Sequence, residues 1–369
     1  MSSDLSVGPI SVSTTRRLAV GLIGSALVVS GAFTSVPAHA GSDPGTAPST
    51  TTTSAAASDE ECLRPARPAL RTTKWRHAED TTEVSAAEKA QVASVLARTT
   101  GSSATSGDAS SARSGATAAT LPSQIRVPVF IHVIHGNHKG EKRIKKRKAR
   151  RMYRTLRYGF AGAQNSAMAN TGVVFDLRKI RIHRNEKWFH AKPFSRADKR
   201  MKRKLHRGKA RALNIYVNRP KLGRQLLLGF ATFPWKRVAR TKLDGVNVSE
   251  VSLPGGRARG YNLGDTVIHE TGHWLGLLHT CEGGCSGSGD WVWDTPAEAG
   301  PSFTCPIGRD SCPAPEPDPT NYPEMGPPIL RPDPVQNFMD YSYDSCMNHF
   351  TPGQRDRMIA AFVAYRAGR

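Results

Sequence analysis

The chain is poor in apolar and aromatic residues: 38% of its 369 positions are hydrophobic and 7% aromatic. That is too little for the whole length to pack as one core, so part of it must be unpacked. Hydrophobic runs are scarce as well. Beyond Leu18–Phe33, no stretch approaches the roughly 20 strongly apolar residues that a membrane span needs. Repeats at solenoid or propeller periods are absent, which excludes those architectures. Acidic residues are outnumbered, 30 against 52 Lys and Arg, a net charge of +22. Cysteines number 6; five fall between Cys281 and Cys346, and Cys62 stands apart.

What is present begins with an export signal. Arg16 and Arg17 precede the short apolar run, and Ala38-His39-Ala40 supplies a small-x-small cleavage pattern. The competing reading, a membrane anchor, fails on length. Residues 1–40 are therefore expected to be a signal peptide, with no transmembrane segment after its removal and a secreted, extracellular product. Export places the cysteines where disulfides persist. The adjacent arginines permit a twin-arginine route as well as the general one.

Residues 41–60 and 99–120 are Ser, Thr, Ala, Gly and Pro with little to bury, and are expected to be flexible. Between them an island opens at Cys62 and continues as a helix from Ser85, where Glu88 completes a capping box. The reading is a propeptide over 41–120, followed by a catalytic domain over 121–369. Folding resumes near Leu121. Ile125–His135 alternates with the period of a strand, a basic helix is expected over 141–169, and further strands over 173–177, 213–217, 229–234 and 245–248. After Cys281 regular structure thins out until a helix beginning at Thr351-Pro352.

Residues 269–279 read HETGHWLGLLH. Histidines at i and i+4 share one helix face and can reach one ion. Glu270 is placed to take a proton from a zinc-bound water. Gly276 lets the chain leave the helix, so that His279 returns as the third ligand. Three protein ligands leave a position open, the mark of a catalytic site. Chance would explain HExxH alone but not the extended motif. Downstream, Asn337-Phe338-Met339-Asp340-Tyr341 fits a Met-turn, with Met339 as an apolar floor and Tyr341 as an oxyanion donor.

With YNLGDTVIHETGHWLGLLHTCEGGC, DWVWDTPAE and DPVQNFMDYSYDSCMNHFTPGQRDRM in that order, the chain resembles the pappalysin family of metzincins, in its compact secreted microbial form, over about 121–365. The resemblance implies an α+β metzincin fold. An upper α/β subdomain with a mixed sheet carries the zinc helix, and a lower irregular subdomain, held by disulfides and calcium, ends in a helix. It implies a zinc metalloendopeptidase acting on protein or peptide substrates. It implies Zn2+ on His269, His273 and His279, Glu270 as base, and disulfides Cys285–Cys312 and Cys305–Cys346. Calcium would lie at Asp290, Asp294, Thr295 and Glu298; the bland alternative is a solvated acidic turn. Asp344 is a candidate acid for a pocket preferring Arg or Lys after the scissile bond, or else a loop carboxylate. Cys62 is a candidate zinc switch in a zymogen, or else pairs with Cys281, which replaces the aromatic residue usual in the family.

Residues 139–211 hold 26 Lys and Arg against 4 acidic residues, an excess of 22 that accounts for the whole net charge. Three readings compete: a solvated surface, retention on anionic cell-surface polymers, and nucleic-acid binding. The few interleaved aromatics and the export signal argue against any specific nucleic acid. The alternative function in a different class is an exported polyanion-binding protein with a vestigial protease fold; the intact ligand set with Glu270 argues against it. A monomer is expected.

Overall fold

The computed structural model describes residues 75–76, 84–100, 121–137, 144–165, 167–222, 225–236, 239, 241–285, 289–312 and 332–368. The expected signal segment 1–40, the linker 41–60 and Cys62 lie outside them. No helix among the described residues is long and apolar enough to cross a membrane.

The elements in chain order are β1 (Trp75–Arg76), α1 (Ala86–Thr100), β2 (Ile125–His135), α2 (Lys146–Phe160), β3 (Val173–Arg184), α3 (Glu186–Phe189), α4 (Arg196–Leu205), β4 (Leu213–Asn218), β5 (Lys221–Leu222), β6 (Gln225–Leu227), β7 (Gly229–Ala231), β8 (Val246–Ser249), α5 (Thr266–Trp274) and α6 (Pro352–Tyr365). The main sheet has the order β3-β2-β4-β8-β7. Its first four strands run parallel, and β7 pairs antiparallel with β8. Alternation in β2 puts Val127, Val129, Ile131 and Val133 into one core with Met152, Leu156 and Phe160 of α2 and Val267 and Ile268 of α5. On the other face, Ile134 and Tyr216 pack against Met201 and Leu205 of α4. Helices on both faces of a mostly parallel sheet form the upper half.

Helix α2 is shorter than the expected 141–169. The Phe160 carbonyl accepts from the Thr171 hydroxyl at 2.7 Å, and Gly162 turns the chain away at φ +67°. The lower half has little regular structure. Bridges Cys285–Cys312 and Cys305–Cys346 hold it, and α6 closes it with a full capping box at Thr351 and Gln354.

Helix α1, inside the stretch read as propeptide, is built into this domain. Val92 and Leu96 are buried against Ala360, Ala361 and Tyr365 of α6. Glu88 pairs with Lys236 at 2.6 Å, and Lys89 pairs with Glu282. The helix continues through Thr99 and Thr100, where a flexible linker was expected.

Buried Arg366 ties the chain's end to the zinc-motif helix. Its guanidinium lies 3.7 Å from the Trp274 ring centre, donates to the Trp274 carbonyl at 3.0 Å and pairs with Asp244 at 2.8 Å.

Candidate active site

Helix α5 is buried along its whole length, packed between α2, β7 and β8. It stops because Gly276 sits at φ +102°, and a Cβ there would also press on Ala361. That turn brings His279 back. His273 Nε2 lies 3.1 Å from His269 Nε2 and 3.0 Å from His279 Nε2. Among the described residues this is the one group of three or more His, Cys, Asp or Glu gathered closely enough to hold a metal ion.

The outer nitrogens are committed elsewhere. Nδ1 of His269 is 2.8 Å from the Phe338 carbonyl, and Nδ1 of His273 is 2.8 Å from that of Leu277. Only an N–H can satisfy a carbonyl, so each Nε2 keeps its lone pair for the centre. Burial lowers His269 to about 3 and His273 to about 4, so both are neutral. Three imidazoles converging on one point, with Nε2 of His269 and His273 free to ligate, fit zinc.

Glu270 is buried, and its side chain lies directly against Gly229 of β7. Met339 is fully buried with its thioether against Gly272 of α5. The Tyr341 hydroxyl is 2.9 Å from His279 Nε2. Motifs about sixty residues apart thus meet at one point.

The other candidate residues separate. Asp294 accepts from the Thr351 hydroxyl at 2.6 Å and from Gly353 N at 2.8 Å, capping α6. Glu298 accepts from Thr280 at 2.5 Å and pairs with Arg309 at 3.5 Å. Asp290 accepts from Val292 N at 3.0 Å; burial pushes its carboxyl well above the usual range, and Thr295 lies beside it. The four do not form one ligand cluster.

Asp344 Oδ2 accepts from the backbone N–H groups of Leu263, Gly264 and Asp265 at 2.7, 2.9 and 3.4 Å. It therefore anchors the loop that enters α5. Its Oδ1 is buried without a hydrogen bond, at a cavity of about 590 Å³ that Asp265, Gln164 and Arg154 also line. Burial and the charge of Asp344 push Asp265 well above the usual carboxylate range. Sequence reasoning missed Asp265, Gly229 and the Arg366–Asp244 pair. Two of these left a trace: Gly229 opens the strand expected over 229–234, and Asp265 lies in the YNLGDTVIHE run.

Cys281 is buried and disulfide-bonded, and no described cysteine is free.

Two histidines on a helix, a third returning past its glycine exit, an adjacent glutamate and a methionine turn beneath define a metzincin-type site. The family described as Pregnancy-associated plasma protein-A, peptidase M43, matches residues 197–363. An extracellular metalloprotease of Pyricularia oryzae is 41% identical over 206 residues, covering 56% of this chain and 66% of its own. Extracellular metalloprotease 1 of Coccidioides posadasii is 41% identical over 208 residues, covering 56% of this chain and 67% of its own. The matches thus span about two thirds of these relatives' length. The solved structure of mirolysin in complex with compound 9 superposes with a TM-score of 0.50 at 29% identity, covering 65% of this chain and 92% of that one. The chain belongs to the peptidase M43 (pappalysin) family.

Proposed function

We propose that this chain is a secreted zinc endopeptidase that hydrolyses protein or peptide substrates. One observation carries the reading: the ligand nitrogens of His269, His273 and His279 gather within 4.8 Å of one another beside Glu270, with His273 Nε2 3.1 and 3.0 Å from the other two. Zinc bound there would polarise a water and the scissile carbonyl. Glu270 takes the water's proton and returns it to the leaving amine. Tyr341, whose hydroxyl already reaches the histidine cluster, donates a hydrogen bond to the oxyanion. An extended substrate pairs with the edge of β7, the last strand of the main sheet, which passes over Glu270. The extracellular names of the relatives support secretion.

Three finer assignments go with this reading. The buried Oδ1 of Asp344 at its cavity supports a preference for Arg or Lys after the scissile bond. Asp290 and Thr295, each with a buried side-chain oxygen lacking a well-formed hydrogen bond, support a calcium ion at that corner. The disulfide at Cys281 supports the pairing alternative for Cys62 over the zinc switch, with latency then resting on a tethered N-terminal segment.

The deciding experiment is cleavage profiling on a peptide library with Glu270→Ala as control. The variant should keep stoichiometric zinc and lose turnover by several orders of magnitude. Near-normal turnover would sink the mechanism, and a profile indifferent to Arg and Lys would remove the specificity assignment alone.

A further inference from the structure

Helix α2 carries basic charge without any acidic residue to offset it. Ala149, Met152, Leu156, Gly159 and Phe160 face the core. The opposite side presents Arg147, Arg150, Arg151, Arg154 and Arg157, all exposed, at spacings of three and four residues. Neighbours at those spacings repel, and Lys145, Lys146 and Arg147 sit at the helix end whose dipole already disfavours cations. No ion pair among the described residues relieves any of the five arginines. Solubility alone does not require this, because interspersed acids would keep the face wet and stabilise the helix. The neighbouring strand β3 continues the charge with exposed Arg178, Lys179, Arg181 and Arg184. As an edge strand, β3 has a separate reason for its charges, protection against edge pairing. The helix has none.

We propose that the outward face of α2 binds a linear phosphodiester polymer of the cell envelope, its phosphates paired with Arg147, Arg150, Arg151, Arg154 and Arg157. The row is about 15 Å long, from ten residue-to-residue steps of about 1.5 Å rise. It is built of arginine, whose planar fork grips phosphate in bidentate fashion. Exposed Tyr158 (54%) stands beside the row, and half-buried Tyr153 is covered by Arg157 at 6.0 Å with its hydroxyl donating to the Phe175 carbonyl, so bases would find almost no stacking platform. Among the described residues, Leu263 at 53% exposure is the other large apolar side chain at that surface, and two such groups are too few to seat a helix in a bilayer. Arg154 also lines the cavity at Asp344, so the row adjoins the proposed specificity pocket, and binding would hold the enzyme near the polymer.

The test measures binding of fluorescently labelled poly(glycerol phosphate) by anisotropy over a series of NaCl concentrations. Five phosphate contacts give a log–log salt slope of about −3.5. Changing Arg147, Arg150, Arg151 and Arg157 together to Gln should reduce that slope by about 3 and weaken low-salt binding about 100-fold or more. A charge-matched control changes Lys199, Arg200, Arg203 and Lys204 of α4 to Gln. An equal loss in the control would overturn the site, since net charge alone would then explain binding. Tighter binding to single-stranded DNA of equal charge, or to phosphatidylglycerol vesicles, would overturn the choice of partner. Should the glutamine variant not fold, the same four positions as Lys should keep the slope and bind several-fold weaker. Unchanged affinity there would overturn the guanidinium pairing.

Discussion

Gly229 offers the sharpest test of the site, because substituting it moves the proposed catalytic base while leaving every proposed ligand in place. A Cβ at position 229 would fall 2.6 Å from Cγ and 2.8 Å from Cδ of Glu270. Carbon atoms in ordinary contact stand about 3.5–4.0 Å apart, so the carboxylate must retreat by about 1 Å. Strand β7 does not hold Gly229 in a left-handed conformation, so its backbone accepts alanine and the strain falls on the flexible glutamate. A displacement of about 1 Å in a reacting group lowers the rate about 100-fold. Loss of the whole general-base contribution is worth about 100- to 10,000-fold. Gly229→Ala should therefore lose about 100-fold or more in kcat/KM, approach Glu270→Ala without passing it, and melt within a few degrees of the parent. A quenched-fluorescence peptide assay, zinc content by mass spectrometry and a melting curve read all three. Turnover within a few-fold of the parent at full zinc loading would refute the placement of Glu270 against β7. Lost zinc would refute the separation of base from ligands.

Other outcomes follow from groups outside the histidine centre. Arg366→Leu leaves the buried Asp244 carboxylate without its counter-ion, keeping only the Trp274 Nε1 donor at 3.0 Å, which should cost about 3–5 kcal/mol in urea unfolding, with the Asp244→Leu double variant recovering much of the loss. His132, lowered to about 3 chiefly by burial and held by Asn214 at 3.2 Å, is neutral in the fold, whereas the unfolded chain takes up a proton below about 6.5. Its contribution is thus complete above about 6.5 and is lost as pH falls toward 3; His132→Gln should flatten that loss by a few kcal/mol, and an unchanged acid limb would refute it. Leu96→Ala should lower the melting temperature of the enzyme carrying residues 84–100, at about 2–4 kcal/mol; no change would mean that α1 does not brace α6.

How far the sequence reached depends on the range of the forces involved. Strand β2 runs Ile125–His135 as its alternation implied, since burial on one face of a strand writes a period of two into neighbouring residues. The zinc-motif helix and its glycine exit are equally local. Where the reading fell short, the cause lay far along the chain. Ser85 and Glu88 announced the start of α1, and Glu88 N does donate to Ser85 Oγ at 3.3 Å. Nothing local could say that Val92 and Leu96 dock on a helix some 260 residues later. Asp344 is the clearest case. From its neighbours it read as either a pocket acid or a loop carboxylate. Its Oδ2 accepts from amides about 80 residues upstream, at the entrance to α5, which gives the side chain a positioning role beside any contact with substrate. Burial raises Asp344 to about 6 against the opposing pull of those amides, and burial together with the Asp344 carboxylate pushes its neighbour Asp265 well above the usual range. A substitution at Asp344 therefore acts on the entrance to the zinc helix and on the cavity at once. To separate the two roles, the effect on helix anchoring, read as melting temperature, must be compared with the effect on selectivity, read as the ratio of kcat/KM for Arg-containing and neutral peptides. If Asp344→Asn changes the first and leaves the ratio untouched, the residue is an anchor alone.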